Sequence, residues 1–369
     1  MNNLLNSINK TLLMGPGPSS VSPTVYSSIS KFTIGHLDPK FIEIMDAIKG
    51  QLQILLGTKN ELTIPISGTG SAGMETCFVN LIEKGNNVLI LSNGVFGGRM
   101  VDVSQRLGAN VDVINQKWGE PIIPNMISEK LNNKKYDLIA IVHAETSTGV
   151  LNPISKIAPL INKTNSLFVV DAVTSLGGIE IHMDDWGIDA LYSGTQKCLS
   201  CPPGLSPVSF SNRAIDKLMS RKTKVPNWYL DLSMIANYWS GKQRVYHHTA
   251  PINMVYALYQ ALYDIIEAGP DNIFKKHQAA HQYLLTKLNE LNLDLLVDEQ
   301  YRLPMLNAIK IPHGVSDIDV RNSLLNDYNI EIGGGLGDLA GKVWRVGLMG
   351  YTAQKENIDK LSKALSLLL

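Results

Sequence analysis

From about residue 60 to 210, short uninterrupted apolar runs alternate with amphipathic stretches of helical length. The runs are Leu62–Ile66, Val88–Leu91, Val111–Ile114, Leu138–Val142, Leu167–Val170, Ala190–Tyr192 and Pro207–Phe210. A strand with one face in water alternates polar and apolar residues, whereas a strand covered on both faces does not. Several of these runs are continuously hydrophobic, which predicts parallel strands wrapped by helices. The pattern is that of an α/β open sheet, in which ligands gather at the carboxyl ends of the strands.

From Pro251 the rhythm changes. Ile252, Val255, Leu258, Tyr259, Leu262, Ile265 and Ile266 form one apolar stripe between a starting proline and the stop Gly269-Pro270. A second long helix is expected over roughly Asp271–Leu291. Strands follow near Leu293–Val297, Leu306–Ile311 and Val343–Val346, with helices at Ser316–Tyr328 and Thr352–Leu368. The predicted organisation is an N-terminal arm (1–20), a large, mostly parallel sheet domain (21–255) and a smaller C-terminal α+β domain (256–369).

Composition narrows the possible partners. The chain has 369 residues, 44% of them hydrophobic and 18% charged, which is too apolar for disorder. Lys plus Arg and Asp plus Glu both number 33. With no net charge and no basic run, neither nucleic acid nor an anionic membrane, which both demand a positive face, is expected as a partner. No apolar run is long enough to span a bilayer. Three cysteines, Cys77, Cys198 and Cys201, cannot build a disulfide framework. Met1–Leu13 does not read as a signal or transit peptide, so the cytoplasm is the expected location.

Two residues carry the sharpest chemistry. Lys197 follows a predicted strand in Tyr192-Ser193-Gly194-Thr195-Gln196-Lys197, and Asp171 closes another strand after Leu167-Phe168-Val169-Val170. Most lysines are solvated surface charges, and an acid in that position can merely cap a turn. A lysine in a dehydrated crevice, however, has a lowered pKa and an amine free to attack carbonyls. An amine facing a carboxylate across one crevice suits pyridoxal 5'-phosphate (PLP), which needs a Schiff-base partner and an anion beside its pyridine nitrogen.

Other segments allow two readings each. Ser67-Gly68-Thr69-Gly70-Ser71-Ala72-Gly73 joins a strand to a helix and matches G-x-G-x-x-G. A dinucleotide site would want an acid closing the next strand, but that strand ends Leu91-Ser92-Asn93-Gly94. The general anion site at a helix amino end remains, against a plain tight turn. Phe96, just past that strand, can stack on a flat ring or pack in the core. Arg345, in Val343-Trp344-Arg345-Val346-Gly347, needs an anionic partner, either a protein carboxylate or a substrate carboxylate. No metal site is expected. Cys198-Leu199-Ser200-Cys201 lacks a thioredoxin-like context. His277 and His281 lack the intervening glutamate of a zinc hydrolase and are expected on a solvated helix face, and the doublet His247-His248 is expected to be structural.

Taken together, the motifs resemble the fold-type-I, class V PLP-dependent aminotransferases, in particular the alanine–glyoxylate/serine–pyruvate aminotransferase family. The likeness runs nearly the full length. Its landmarks are Gly15-Pro16-Gly17-Pro18-Ser19, Ser67-Gly68-Thr69-Gly70, His143-Ala144-Glu145-Thr146-Ser147-Thr148-Gly149 and Asp171-Ala172-Val173-Thr174-Ser175. Further ones are Ser193-Gly194-Thr195-Gln196-Lys197, Tyr246-His247-His248-Thr249 and Gly341-Lys342-Val343-Trp344-Arg345-Val346-Gly347.

This resemblance implies that Lys197 forms the Schiff base, Asp171 faces the pyridine nitrogen and Val173 lies on one ring face. Phe96, where many relatives have tryptophan, would stack on the other. Thr146 would bond the ring hydroxyl, and Thr69, Gly70, Ser71 and Gln196 would hold the phosphate. Ser71 stands where some relatives carry histidine. Tyr246 and Thr249 would reach the phosphate of a neighbouring subunit, which implies a homodimer with shared sites. Arg345 would clamp the substrate carboxylate, with the loop containing Gly17 opposite. The implied reaction moves an amino group from alanine or serine to glyoxylate or pyruvate. Alternatives are a class V enzyme using ureidoglycine, aspartate or aminoethylphosphonate and, more remotely, an NAD-dependent oxidoreductase.

Overall fold

The computed structural model describes residues 3–239 and 244–369. Its centre is a seven-stranded sheet built from β1 (Leu62–Ser67), β2 (Asn87–Ser92), β3 (Asn110–Asn115), β4 (Leu138–Val142), β5 (Leu167–Asp171), β6 (Ala190–Tyr192) and β7 (Leu205–Phe210), in the order β1-β7-β6-β5-β4-β2-β3. β7 runs antiparallel to both neighbours, and the remaining pairs are parallel. Every residue of β4, β5, β6 and β7 is buried, as uninterrupted apolar runs require. The sheet is thus mostly parallel, as expected, with the Pro207–Phe210 run in its one antiparallel strand.

Helices cover both faces of the sheet. The ones that shape the site are α1 (Pro39–Leu56), α2 (Gly70–Leu81), α3 (Val95–Arg106), α4 (Ile252–Ala268) and α5 (Pro270–Glu290). α1 starts on an Asp38 cap with Pro39 in its first turn and stops at Gly57, whose φ of 60° is left-handed. α4 packs on α1 and on the short helix Pro23–Ile29. Its buried Val255, Leu258, Leu262 and Ile265 belong to the main core. The boundary expected between 255 and 256 therefore falls inside α4, while the change of core comes beyond it, along α5.

A second core gathers Ala280, Leu284 and Leu288 of α5 with Leu324, Trp344, Val346, Ile358 and Leu361. It lies on a small antiparallel sheet in which β9 (Val343–Gly347) is central and pairs with β8 (Leu306–Lys310) and Gly333–Gly334. Helices Asp317–Tyr328 and Lys355–Leu368 complete it. The expected strand at Leu293–Val297 does not form; a single bridge joins Leu295 to Ile309. Left-handed Asn292 precedes this segment and Asp298 caps a 3-10 turn just after it, so only one residue pair fits between them. The expected helix start at Thr352 moves to Lys355, because Gly350–Thr352 forms its own 3-10 turn.

The N-terminal arm belongs with this second unit. Leu12 and Leu13 pair in parallel with Ile330 and Glu331, and fully buried Met14 joins its core. A Cβ on Gly347 would stand 2.0 Å from Gly15 O, so only glycine lets the arm cross β9 there. Met1 and Asn2, the start of the expected arm, lie outside the described residues.

Candidate active site

Asp171 is the last residue of β5, and Lys197 sits in the loop between β6 and β7. Both line one cavity of about 220 Å³ at the carboxyl edge of the sheet, together with Thr69, Gly70, Ser71, Phe96, Val173 and Gln196. Met74, Arg99 and Tyr192 also line it and were not singled out from sequence. Thr69–Ser71 lie at the amino end of α2, which no side chain caps. That leaves helix-end N–H groups available to an anion.

The N-terminal arm holds the lysine loop in place. The Ser19 N–H donates to Gln196 O (2.9 Å) and its hydroxyl to Lys197 O (2.6 Å). The ammonium of Lys197 donates to the Pro16 carbonyl. A Cβ on Gly17, where φ is +110°, would lie 2.6 Å from Lys197 Nζ, so a glycine is needed beside the lysine. A Cβ on Gly333 would meet Pro16 at 2.5 Å and Arg345 Nη2 at 3.6 Å. The Pro16–Gly17 turn therefore touches the lysine on one side and borders the guanidinium on the other.

Burial sets the electrostatics. It pushes the Asp171 carboxyl up to about 7, against the pull of the Val173 N–H that donates to Oδ1 at 2.8 Å. It lowers Lys197 to about 8, and the Arg345 charge adds to that effect. Tyr192 is fully buried beside Asp171; its hydroxyl pulls the Asp171 carboxyl down, and burial together with the Asp171 charge pushes the phenol well up.

Arg345 is buried in the middle of β9. Nε donates to Gly334 O (2.7 Å) and Nη1 to Thr146 O (3.2 Å). Among the described residues no carboxylate forms an ion pair with it. Of the two partners open from sequence, a protein acid is thus not in place. Thr146 is buried on the turn beneath Arg345 but does not line the Lys197 cavity.

Tyr246 and Thr249 are not brought to Lys197 either. Both are exposed, with their hydroxyls 3.4 Å apart. Their segment is nevertheless tied to the anion loop, because His248 Nε2 lies 2.7 Å from Ser67 Oγ.

The cysteine and histidine motifs make contacts that join elements, and two of the histidines sit differently from expectation. His277 and His281 are buried, not on a solvated face. His277 Nε2 accepts the Gly350 N–H (2.8 Å) and His281 bonds Asn307 Oδ1 (2.7 Å), so each imidazole stitches α5 to another element. Cys198 and Cys201 are buried and donate to the Thr174 and Ala257 carbonyls, with burial pushing the Cys198 thiol up to about 12. His247 stacks on Trp228 at 4.5 Å.

Residues 13–361 match the aminotransferase class-V family. The chain belongs to that family. It is 41% identical to rat alanine–glyoxylate aminotransferase over 362 residues, covering 97% of this chain and 87% of that protein. It is 36% identical to (S)-ureidoglycine–glyoxylate transaminase of Bacillus subtilis, covering 94% and 87%. The crystal structure of an alanine–glyoxylate aminotransferase from Nostoc sp. superposes with a TM-score of 0.96 at 47% identity, covering 98% of this chain and 96% of that one. The fold is therefore that of the fold-type-I aminotransferases, and the dinucleotide reading of the glycine loop falls away.

Membership of this aminotransferase family implies PLP, and the cavity fits it. An amine and a carboxylate share the cavity, Phe96 and Val173 offer apolar faces, and an uncapped helix end supplies anion-binding N–H groups. Among the described residues Gln196 Oε1 is buried there without a hydrogen-bond partner, as expected of a group that awaits a polar ligand.

Proposed function

We propose that this aminotransferase transfers an amino group from alanine or serine to a small 2-oxo acid, glyoxylate or pyruvate, using PLP attached at Lys197. One observation carries the reading. Buried Lys197 and Asp171 line one cavity, and beside it lies a guanidinium with which, among the described residues, no carboxylate forms an ion pair. When bound, PLP supplies an aldehyde to carry the amino group and an electron-withdrawing ring.

The chain's own groups divide the remaining work. Lys197, lowered to about 8, is neutral far more often near neutral pH than an ordinary lysine, so Nζ can accept a proton at the substrate α-carbon and return it. Asp171, held up by burial, gains most from a cation and would keep a ring nitrogen protonated. Phe96 and Val173 would bracket the ring and exclude water. Thr69, Gly70, Ser71 and Gln196 would bind the phosphate, and Thr146 the ring hydroxyl. Arg345 would grip the substrate carboxylate in bidentate fashion across from Gly17.

We further propose a cytoplasmic homodimer with shared sites. Trp228, Tyr229, Val245 and Tyr246 are exposed on the side of the anion loop, as suits a face covered by a second copy. From there Tyr246 and Thr249 would complete the partner's phosphate site. The resemblance to the Bacillus subtilis transaminase supports a second donor, (S)-ureidoglycine. Purified protein assayed with alanine, serine, aspartate, aminoethylphosphonate and (S)-ureidoglycine against glyoxylate and pyruvate decides. The highest kcat/KM is expected for alanine or serine with glyoxylate, and a clear preference for another donor overturns the assignment.

A further inference from the structure

Glu145 is fully buried on the turn after β4, and among the described residues no charged side chain hydrogen-bonds to it. Its Oε1 accepts the Ser147 N–H (3.0 Å) and hydroxyl (2.5 Å), and Oε2 accepts the Phe96 N–H (3.2 Å). Ser147 Oγ in turn accepts the Val95 N–H (3.0 Å). Val95 and Phe96 open α3, whose cap residue Gly94 offers no side chain of its own. Two of the helix's orphan amides are therefore satisfied from a segment about fifty residues further along the chain. Burial pushes the carboxyl up from its ordinary range, against the pull of these donors, and the positive end of the helix dipole favours the carboxylate.

The glycine at 94 follows from this arrangement. Its φ of 176° is extended backbone open to any residue, but a Cβ there would stand 2.4 Å from both Glu145 Cδ and Ser147 Oγ. Close approach of the carboxylate is what excludes a side chain. The same turn also supplies the Thr146 carbonyl that receives Arg345.

We infer that Glu145, acting with Ser147 as a cap supplied from another segment, is a positioning residue that fixes Phe96 against the cofactor ring and ties that ring face to the turn under Arg345. This rests on the PLP reading of the cavity. A carboxylate is required because only an acceptor-only group can take all three donors at once. An amide would turn an N–H toward one of them.

The test measures PLP binding to cofactor-free protein by absorbance titration, together with induced circular dichroism of the bound cofactor's visible band. It uses wild type, Glu145→Gln, Phe96→Leu and the double variant, with thermal melting to verify folding. Glu145→Gln is expected to weaken PLP binding about tenfold and to diminish the induced signal. In the Phe96→Leu background the same substitution should change affinity less than about threefold, because its effect runs through Phe96. An equal loss in both backgrounds, or unchanged affinity and dichroism in Glu145→Gln, overturns the inference. Should Glu145→Gln fail to fold, Ser147→Ala, which removes the Val95 acceptor, carries the same comparison with the same criteria. Wild-type protein that binds no PLP would refute the reading of the cavity itself, a result distinct from the loss of coupling.

Discussion

Replacing Arg345 with Gln should separate substrate binding from cofactor binding. The guanidinium donates from Nε to Gly334 O and from Nη1 to Thr146 O, and among the described residues no carboxylate pairs with Nη2. If its free edge takes the substrate carboxylate, two charge-assisted hydrogen bonds are lost, each about 1.5–3 kcal/mol. Gln retains one weaker donor, which leaves a net loss of about 3–4 kcal/mol, or roughly 10²–10³ in kcat/KM. Arg345 does not line the Lys197 cavity, so PLP affinity should move less than about threefold. Folding should change little, because relief of a buried charge offsets the two lost bonds to carbonyls. Single-turnover absorbance with alanine reports the first quantity and titration of cofactor-free protein the second. A variant that keeps kcat/KM within fivefold, or loses PLP affinity in step with it, refutes the assignment.

Gly17→Ala places a methyl 2.6 Å from Lys197 Nζ at a φ of +110°. It should destabilise by about 1–2 kcal/mol and slow covalent capture of PLP, as followed by melting and stopped-flow absorbance. Asp171 has a folded-state value of about 7, above its ordinary 3.8, so the folded chain keeps a proton that the unfolded chain has released. Its contribution to cofactor-free stability is therefore fullest below pH 4 and is lost as pH rises to about 7. Asp171→Asn should remove that slope in urea titrations at pH 5 and 8 and weaken PLP binding; an unchanged slope contradicts the burial argument. Tyr246→Ala should weaken PLP binding about tenfold although Tyr246 lies outside the cavity of its own chain. Hybrids of Tyr246→Ala with Lys197→Ala subunits should regain wild-type PLP affinity at their one intact site, and absence of that recovery refutes shared sites.

What was legible in the sequence follows how local each signal is. Val88–Leu91, Leu138–Val142 and Leu167–Val170 announce strands because burial on both faces removes alternation. Lys197 and Asp171 stand at strand ends, where the architecture concentrates ligands. α1 carried readable signals, with Asp38-Pro39 before it and Gly57 after it. Leu293–Val297 has a strand-like composition, but the turns on either side leave room for one bridge. His277 and His281 look solvated on a polar helix, yet the partners that bury them, Gly350 and Asn307, lie some 26 or more residues away. Glu145, Ser147 and Pro16 had no local signal because each acts on a side chain or amide from another segment.

Everything proposed for the site depends on Lys197 being the cofactor's point of attachment. Borohydride reduction of the purified holoenzyme, followed by peptide mass mapping, identifies the lysine that carries it. The pyridoxyl mass is expected on the peptide containing Lys197 and nowhere else. A label on a different lysine, or none on a protein that still transaminates, would contradict it.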